Sequence, residues 1–427
     1  MKNFLKKIVI FILYIESKIV LFFKKPKIIA ITGTVGKTTT KDILYAGLKN
    51  SFNVRKSPKG FNSDIGVLLT VLNLETYEIS IVHWVKNIIK GFLVIFQTNY
   101  SELLIIEVGA NYPGEIQKNA KLLKPDIAVF TKLPKIMAHM EFFENRQHFI
   151  NEKLSLALYL KKQGVIVYNG DDQTLVEEFK KSRFDFYNKK TFGKKADYAF
   201  KSVSVDYQGD VLRGTNITLD NNAKVNLAGV LGEHLGYSVS ALYAVVGVYE
   251  LNLMDVLKSL EKNFIPAAGR MRVLDGIKNS VIIDDSYNAL PESIKNGSNF
   301  LKQIQVEGRK IYALGKLAEL GDYTKDAYRA AIKYIRESCD ILLLVNDGGR
   351  WEQYAKDLGF KEVYSFNKNG DDYFANTDEA GEFLENYISK GDVVIFKGAR
   401  HSTGFERAIV KLIKAKNKRF LVQEHLE

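Results

Sequence analysis

The decapeptide ITGTVGKTTT, Ile31 to Thr40, carries the residue types that hold a nucleotide phosphate. A strand that enters a glycine turn and then a helix aims backbone N–H groups and a positive helix end at an anion, here around Gly33, Thr34 and Gly36. Lys37 can neutralise terminal phosphates, and the hydroxyl of Thr38, next to Thr39, can ligate Mg2+. The spacing is unusual. The general phosphate-loop pattern sets four residues between its first glycine and Gly-Lys-Thr, whereas only Thr34 and Val35 separate Gly33 from Gly36, and Ile31 stands where the first glycine belongs. ATP binding is the expectation, with an ordinary strand-to-helix turn as the alternative.

Other residues could share that chemistry. Glu107, in IIEVGANYPGEI, closes an apolar run of the kind buried in a parallel sheet. A carboxylate there can hold Mg2+ or orient a water, or be a buried structural glutamate. The stretch FTKLPKIMAHMEFFENRQHFINEKLSLAL offers His139, within reach of a second metal, and Lys153; neither is remarkable alone. In PAAGRMRVL, Arg270 has the forked geometry that suits phosphate or ribose oxygens. In VIIDDSYNALPES, Asp285 can accept from ribose hydroxyls and Tyr287 offers a face for adenine.

These groups need elements to hold them, and the apolar runs supply α/β ones. KIIAIT, LLIIEVGA (103–110), PDIAVFTKL (125–133) and GVIVYNGDD (164–172) are strand-like, with helical text between them, as from Asn145 to Lys162. Short alternating segments from Tyr198 to Leu227 predict antiparallel hairpins, and GEHLGYSVSALYAVVGVYELN a helix. A second α/β unit follows in SVIIDDSYN, KIYALGKLAELG, DILLLVND and DVVIFKGAR. The expected division is residues 1–26, an apolar and basic helix; 27–268, the ATP-binding domain; and 269–427, a C-terminal domain, with the boundary near Pro266 to Arg270.

Composition limits the partners. The 427 residues are 46% hydrophobic and 26% charged, with a net charge of +12 and one cysteine, Cys339, which enters an apolar run as an inert thiol and fits a reducing cytoplasm. No arginine-rich arm, zinc-finger spacing or RNP-type motif is present, so nucleic acid is not an expected partner. The segment MKNFLKKIVIFILYIESKIVLFFKKPK has lysines at both ends, no small-residue cleavage site, and Glu16, Ser17 and Lys18 interrupting its apolar run. It suits either a helix lying in the membrane interface or one docked on its own protein core. ISIVHWVKNIIKGFLVIFQTNY (79–100), also apolar and basic, is either a second membrane- or partner-facing patch or a buried helix.

Taken together, ITGTVGKTTTKDIL, FNSDIGVLLTVL, IIEVGANYPGEI, HMEFF…NEK, AAGRMRVL, IIDDSYNALPES, LGKLAELG and FKGAR closely resemble the Mur ligases, from about residue 27 to 415. In that family the short glycine loop is the normal form. The resemblance implies a phosphate-loop ATPase domain on a parallel sheet followed by a Rossmann-like α/β domain. It implies an ADP-forming, amide-bond-forming ligase of peptidoglycan precursor synthesis. EVGANYPGEI, DDSYNALP and LAELG point to the branch that adds D-alanyl-D-alanine to a UDP-N-acetylmuramoyl tripeptide through an acyl phosphate.

Carried over by position, Lys37 and Thr38 would bind the ATP phosphates and Mg2+, Glu107 would ligate magnesium, and His139 would hold a second metal ion. Lys153 falls where the family carries an often carbamylated lysine. Arg270, Asp285, Tyr287 and Asn288 would serve the nucleotide; Asn62, Lys397 and Arg400 would serve the other substrates. A monomer at the cytoplasmic side is implied, with peripheral contact to the inner membrane face left open.

Three departures stand out. The family's usual uridine-nucleotide-binding domain has no counterpart in the short apolar, basic segment before Gly33, so the acceptor is expected to be held differently or to be another carboxylate, lipid-linked or poly-amino-acid. Ser238 lies near a position where the family has an adenine-contacting asparagine. Lys316 and Leu317 replace the more usual Asp and Met. A membrane-tethered nucleotide-binding protein without ligase activity is the remaining alternative, disfavoured by the joint presence of Lys37, Glu107, His139 and Lys153.

Overall fold

The computed structural model describes residues 2–58, 60–74, 81–133, 142–209, 211–317, 320, 323–370 and 372–421, without the side chains of 2–5 and 81. Two compact units emerge. One comprises Met1–Lys201, Leu219–Ala223 and Tyr237–Phe264; the other comprises Ser202–Thr218, Lys224–Gly236 and Ile265–Glu427.

The first unit begins with α1 (Lys2–Lys24), β1 (Lys27–Thr32), α2 (Lys37–Leu48), β2 (Val54–Lys56), α3 (Asp64–Val71) and α4 (Ile81–Val94). It continues through β3 (Leu103–Glu107), α5 (Glu115–Leu123), β4 (Ile127–Phe130), α6 (Arg146–Leu154), β5 (Val165–Asn169), α7 (Gln173–Phe179) and β6 (Asn188–Gly193). The strands are parallel in the order β2-β3-β1-β4-β5-β6. β3 and β4 are buried at every residue, which is why they read as unbroken apolar runs. The chain builds outward from β1 first to one side and then to the other. The loops after β1, β3 and β4 therefore gather at the carboxyl edge, at a switch point where open α/β sheets take ligands. The expected long helix from Asn145 is shorter, ending at Leu154 before a single 3-10 turn.

β7 (Tyr198–Gln208) follows, then β8 (Val211–Leu219) and β9 (Lys224–Ala228), an antiparallel hairpin. α8 (His234–Val248) and α9 (Leu253–Asn263) return the chain to the first unit. There Gly47 of α2 lets Leu242 and Val256 come close: a Cβ at Gly47 would stand 2.6 Å from Leu242.

The second unit holds a six-stranded sheet from β10 (Arg272–Asp275), β11 (Val281–Asp284), β12 (Lys310–Leu314), β13 (Ile341–Val345), β14 (Glu362–Phe366) and β15 (Val393–Lys397), in the order β10-β11-β15-β12-β13-β14. All pairs are parallel except β10–β11. Ile282, Ile311, Leu343, Val394 and Phe405 fill its core. The four strands expected from sequence are its centre, and β10 and β14 are additional edges. Cys339 is buried, and burial pushes its thiol up to about 12, as an inert role requires.

α1 is docked on the first unit's core: Leu13 and Val20 are fully buried with Ile28 and Leu104. It also runs beside α4. Gly91 approaches so closely that a Cβ there would meet Glu16 Oε2 at 2.3 Å, and Lys24 Nζ donates to Gln97 O beyond the end of α4. Glu16 is the one acid on α1, and its Oε2 is buried without a hydrogen-bond partner among the described residues. Burial raises its pKa from 4.5 to about 7. A carboxyl that holds its proton more tightly folded than unfolded contributes stability fully below pH 4.5, and that stability is lost as the pH climbs through 7. Glu16→Gln, neutral and of the same shape, should flatten the pH dependence of thermal unfolding between pH 5 and 8. At pH 8 it should raise the midpoint by about 2–4 °C. Unfolding scans of the two proteins at both pH values measure this.

Candidate active site

The loop between β1 and α2 is shaped by two glycines with positive φ, Gly33 at 136° and Gly36 at 90°, the latter capping α2. At Gly33 a Cβ would lie 2.1 Å from Thr131 Oγ1, so only glycine permits this approach. Thr131, just past β4, donates its hydroxyl to Val35 O at 2.7 Å, and Thr34 N donates to Lys132 O at 2.8 Å. The loop is thus pinned to the neighbouring strand. Lys37 opens α2, with Nζ 3.3 Å from Thr34 O, and Thr34 Oγ1 is buried with no hydrogen-bond partner among the described residues. An orphaned hydroxyl in a glycine-walled cradle at a helix N-terminus fits a phosphate.

Thr38 Oγ1 donates to Glu107 Oε2 at 3.0 Å. The same oxygen lies 3.6 Å from Lys41 Nζ, and both side chains of that ion pair are buried. Glu107 N donates to Ser57 Oγ at 3.0 Å, fixing the end of β3. A hydroxyl and a carboxylate converging at the start of α2 are the hard oxygen donors Mg2+ takes, so these residues fit the ion. Asn62 sits beside them: its carbonyl accepts from Gly109 N at 2.8 Å.

Lys153, near the end of α6, is buried against the Phe149 ring. Burial, then the positive charge of Lys37, lowers its pKa from 10.5 to about 7, against the opposing pull of Glu152, Glu115 and Glu107. The carboxylate of Glu152 is occupied with α5, accepting from Gly114 N at 2.9 Å and Ile116 N at 2.7 Å. Lys37, Thr38, Glu107 and Lys153 therefore form one electrostatic cluster. His139 lies outside the described residues, and among the described residues no three acidic, histidine or cysteine side chains gather as a metal centre.

In the second unit, Asp285 and Lys397 meet in a buried ion pair of 2.6 Å. The other oxygen of Asp285 accepts from Met271 N at 3.2 Å. Burial depresses Lys397 and raises Asp285, each opposed by its partner's charge. Both carboxylate oxygens are thus engaged inside the unit. Arg270 stacks on Tyr287, 4.3 Å from its ring centroid, and Arg400 lies 5.4 Å from the same ring. Gly269, with φ 72°, allows Tyr287 N to donate to Gly269 O at 3.1 Å. Asn288 closes the turn, its side-chain oxygen accepting from Ala289 N at 2.7 Å. His234 lies nearby, half-buried and held neutral, its pKa lowered to about 4 by desolvation and by Lys397 and Arg270.

Lys41, Ser57, Thr131 and His234 are contributors that the sequence did not single out. Lys41 had a signal, since it stands three residues after Thr38 and so shares its helix face. Ser57 and Thr131 had none. Ser238 spends its hydroxyl on Thr40 Oγ1 at 3.0 Å, tying α8 to α2. Lys316 Nζ donates to Tyr373 Oη at 2.9 Å.

Comparison with known proteins adds the following. Residues 31–246 match the Mur ligase middle domain, and residues 269–400 match the Mur ligase, glutamate ligase domain. The UDP-N-acetylmuramoyl-tripeptide–D-alanyl-D-alanine ligase of Bacillus subtilis (strain 168) is 26% identical over 376 residues, 88% of this chain and 73% of the relative. The enzyme of that name from Rickettsia prowazekii (strain Madrid E) is 24% identical over 379 residues, 88% of this chain and 76% of the relative. Among solved structures, MurF ligase from Thermotoga maritima in complex with ADP superposes with a TM-score of 0.72 at 23% identity, over 94% of this chain and 83% of that one.

The buried pair carries a stability prediction. Lys397→Met strands a buried carboxylate and should cost about 3–5 kcal/mol in denaturant unfolding. Adding Asp285→Leu should recover most of that loss.

Proposed function

The chain belongs to the Mur ligase family, and from that premise we propose that it joins D-alanyl-D-alanine to a UDP-N-acetylmuramoyl tripeptide. It is an ATP-dependent, ADP-forming ligase of peptidoglycan precursor synthesis. The observation that carries the reading is the single cluster of Lys37, Thr38, Glu107 and Lys153 at the carboxyl edge of the first unit's sheet.

In the proposed reaction a substrate carboxylate oxygen attacks the γ-phosphorus of ATP, and ADP leaves with the electrons of the broken P–O bond. The amine of D-alanyl-D-alanine then attacks the carbonyl carbon of the acyl phosphate, loses a proton, and phosphate departs. Lys37 and the loop amides hold the phosphates and offset the repulsion between two anions. Thr38 and Glu107 would hold Mg2+, which when bound neutralises charge on the transferring group; a second ion would need His139. Asn62 is assigned to substrate. On the second unit, Arg270, Asp285, Tyr287 and Asn288 are assigned to nucleotide, with Asp285 acting through its pairing to Lys397 and Met271. Lys397 and Arg400 are assigned to the amine substrate. The enzyme acts as a monomer in the cytoplasm, with peripheral contact at the inner membrane face.

Lys153 is proposed to be carbamylated. Burial leaves much of its amine neutral near pH 7, so the nitrogen can attack CO2, forming an N–C bond and releasing a proton. The resulting anion would face Lys37 favourably. Carbamate formation predicts a ¹³C resonance in protein equilibrated with ¹³C-bicarbonate. That resonance should vanish in Lys153→Ala, together with most of kcat.

The direct test is ADP release with Mg2+, ATP and D-alanyl-D-alanine, with and without the UDP-muramoyl tripeptide. Release requiring both partners, with product mass raised by the dipeptide less one water, is the expected result. Lys37→Ala should lower kcat/KM by at least about 100-fold. ATP turnover indifferent to the tripeptide would move the acceptor to another carboxylate.

A further inference from the structure

α1 and α4, far apart in sequence, lie side by side in the same direction, since Glu16 meets Gly91 and Lys24 meets Gln97. Each buries one face against the first unit, yet each also shows solvent a second apolar stripe. On α1 that stripe is Ile8, Phe11, Ile15 and Phe22, with Phe11 at 63% and Phe22 at 69% exposure. On α4 and just beyond it is Val82, Val85, Ile89, Phe92 and Phe96, with Val82 at 74% and Phe96 at 66%. Steps of three and four residues on α4, and of three, four and seven on α1, put each set on one line down its helix. A surface helix of a globular protein is ordinarily polar there, so exposed apolar surface of this extent marks an interaction site.

The charges identify the occupant. Lys6, Lys7 and Lys18 on α1, and Lys86 and Lys90 on α4, are exposed beside the stripes. α4 carries no acid, and the one acid of α1, Glu16, is buried. A second copy of this chain would set lysines against lysines, because a twofold contact pairs like surfaces. An acidic, apolar layer fits instead. Among the described residues no helix is long and apolar enough to cross a membrane. We propose that α1 and α4 together form a platform that lies on an anionic lipid surface, with its phenylalanines in the headgroup–acyl boundary and its lysines on the phosphates. This deepens the peripheral contact named above, and it stands apart from ligation because none of its residues belongs to the nucleotide cluster.

The test is co-sedimentation of the full chain with vesicles of phosphatidylglycerol and phosphatidylcholine, against phosphatidylcholine alone, at low and high salt. Binding to the anionic vesicles, weakened by salt, is expected. Phe11→Asp combined with Phe92→Asp should weaken it at least about tenfold. Lys18→Glu, Lys86→Glu and Lys90→Glu should each weaken it about fivefold, and they provide the test should the phenylalanine variant misfold. Absence of vesicle binding, binding unchanged in both sets of variants, or a dimer that these substitutions dissociate would each overturn the proposal. ADP release, measured without vesicles on the same variants, should be unchanged. Failure of ligation in every form, with vesicle binding intact, would count against the ligase reading alone.

Discussion

The carboxylate of Glu107 is the group on which the first unit's chemistry depends. It sits at the end of a fully buried strand, where an unpaired anion would be costly, and α2 supplies the compensation. Thr38 and Lys41, three residues apart on one helix face, both reach its Oε2. That contact fixes the rotation of α2 about its axis, and so fixes where Lys37 stands. Ser57 holds the strand end from the other side, through the backbone N–H of Glu107. The short glycine loop is tolerable because its shape is set from outside: Thr131 and Lys132 clamp it to β4. Three adjacent strands therefore share the task that a longer loop would perform alone.

The second unit solves a similar problem differently. Its buried charges, Asp285 and Lys397, stand at the ends of adjacent strands β11 and β15 and neutralise one another. The pair also takes the Met271 N–H, which anchors the turn carrying Arg270. Tyr287 then receives Arg270 and Arg400 near its ring, so one aromatic side chain gathers two guanidiniums. Two guanidiniums gathered on one ring make a positively charged face that suits an anionic ligand. The neutral His234 fits this setting, since a further positive charge there would be repelled.

Much of this was legible because it is local. Gly33, Gly36 and Lys37 point to a phosphate loop as a glycine turn between strand and helix, despite their short spacing, and Glu107 stands out by ending an apolar run. The central strands of both sheets were readable because double burial leaves no polar alternation to confuse them. β10 and β14 escaped because edge strands of four and five residues are partly exposed and resemble loop text. Ser57 and Thr131 escaped for a stronger reason: their partners lie 50 and 96 residues away, and nothing near either residue hints at the contact. The sequence likewise marked Asp285 and Lys397 as polar groups at strand ends, but it could not show that they face each other across 112 residues.

The N-terminal helix shows why apolar periodicity alone left two readings open. α1 is apolar on both sides, so a count of apolar positions cannot separate docking on protein from contact with lipid. Here the two coexist: Leu13 and Val20 are in the core, while Phe11 and Phe22 are in solvent. What distinguishes the sides is the polar residues. Glu16 faces Gly91 inside the helix pair, where a carboxyl is tolerated chiefly in its neutral form, whereas Lys18 is exposed beside the apolar stripe, where a long amine can extend to water or to a phosphate. The residues that interrupt the apolar run, and so argue against a spanning helix, are therefore the ones that assign its two faces.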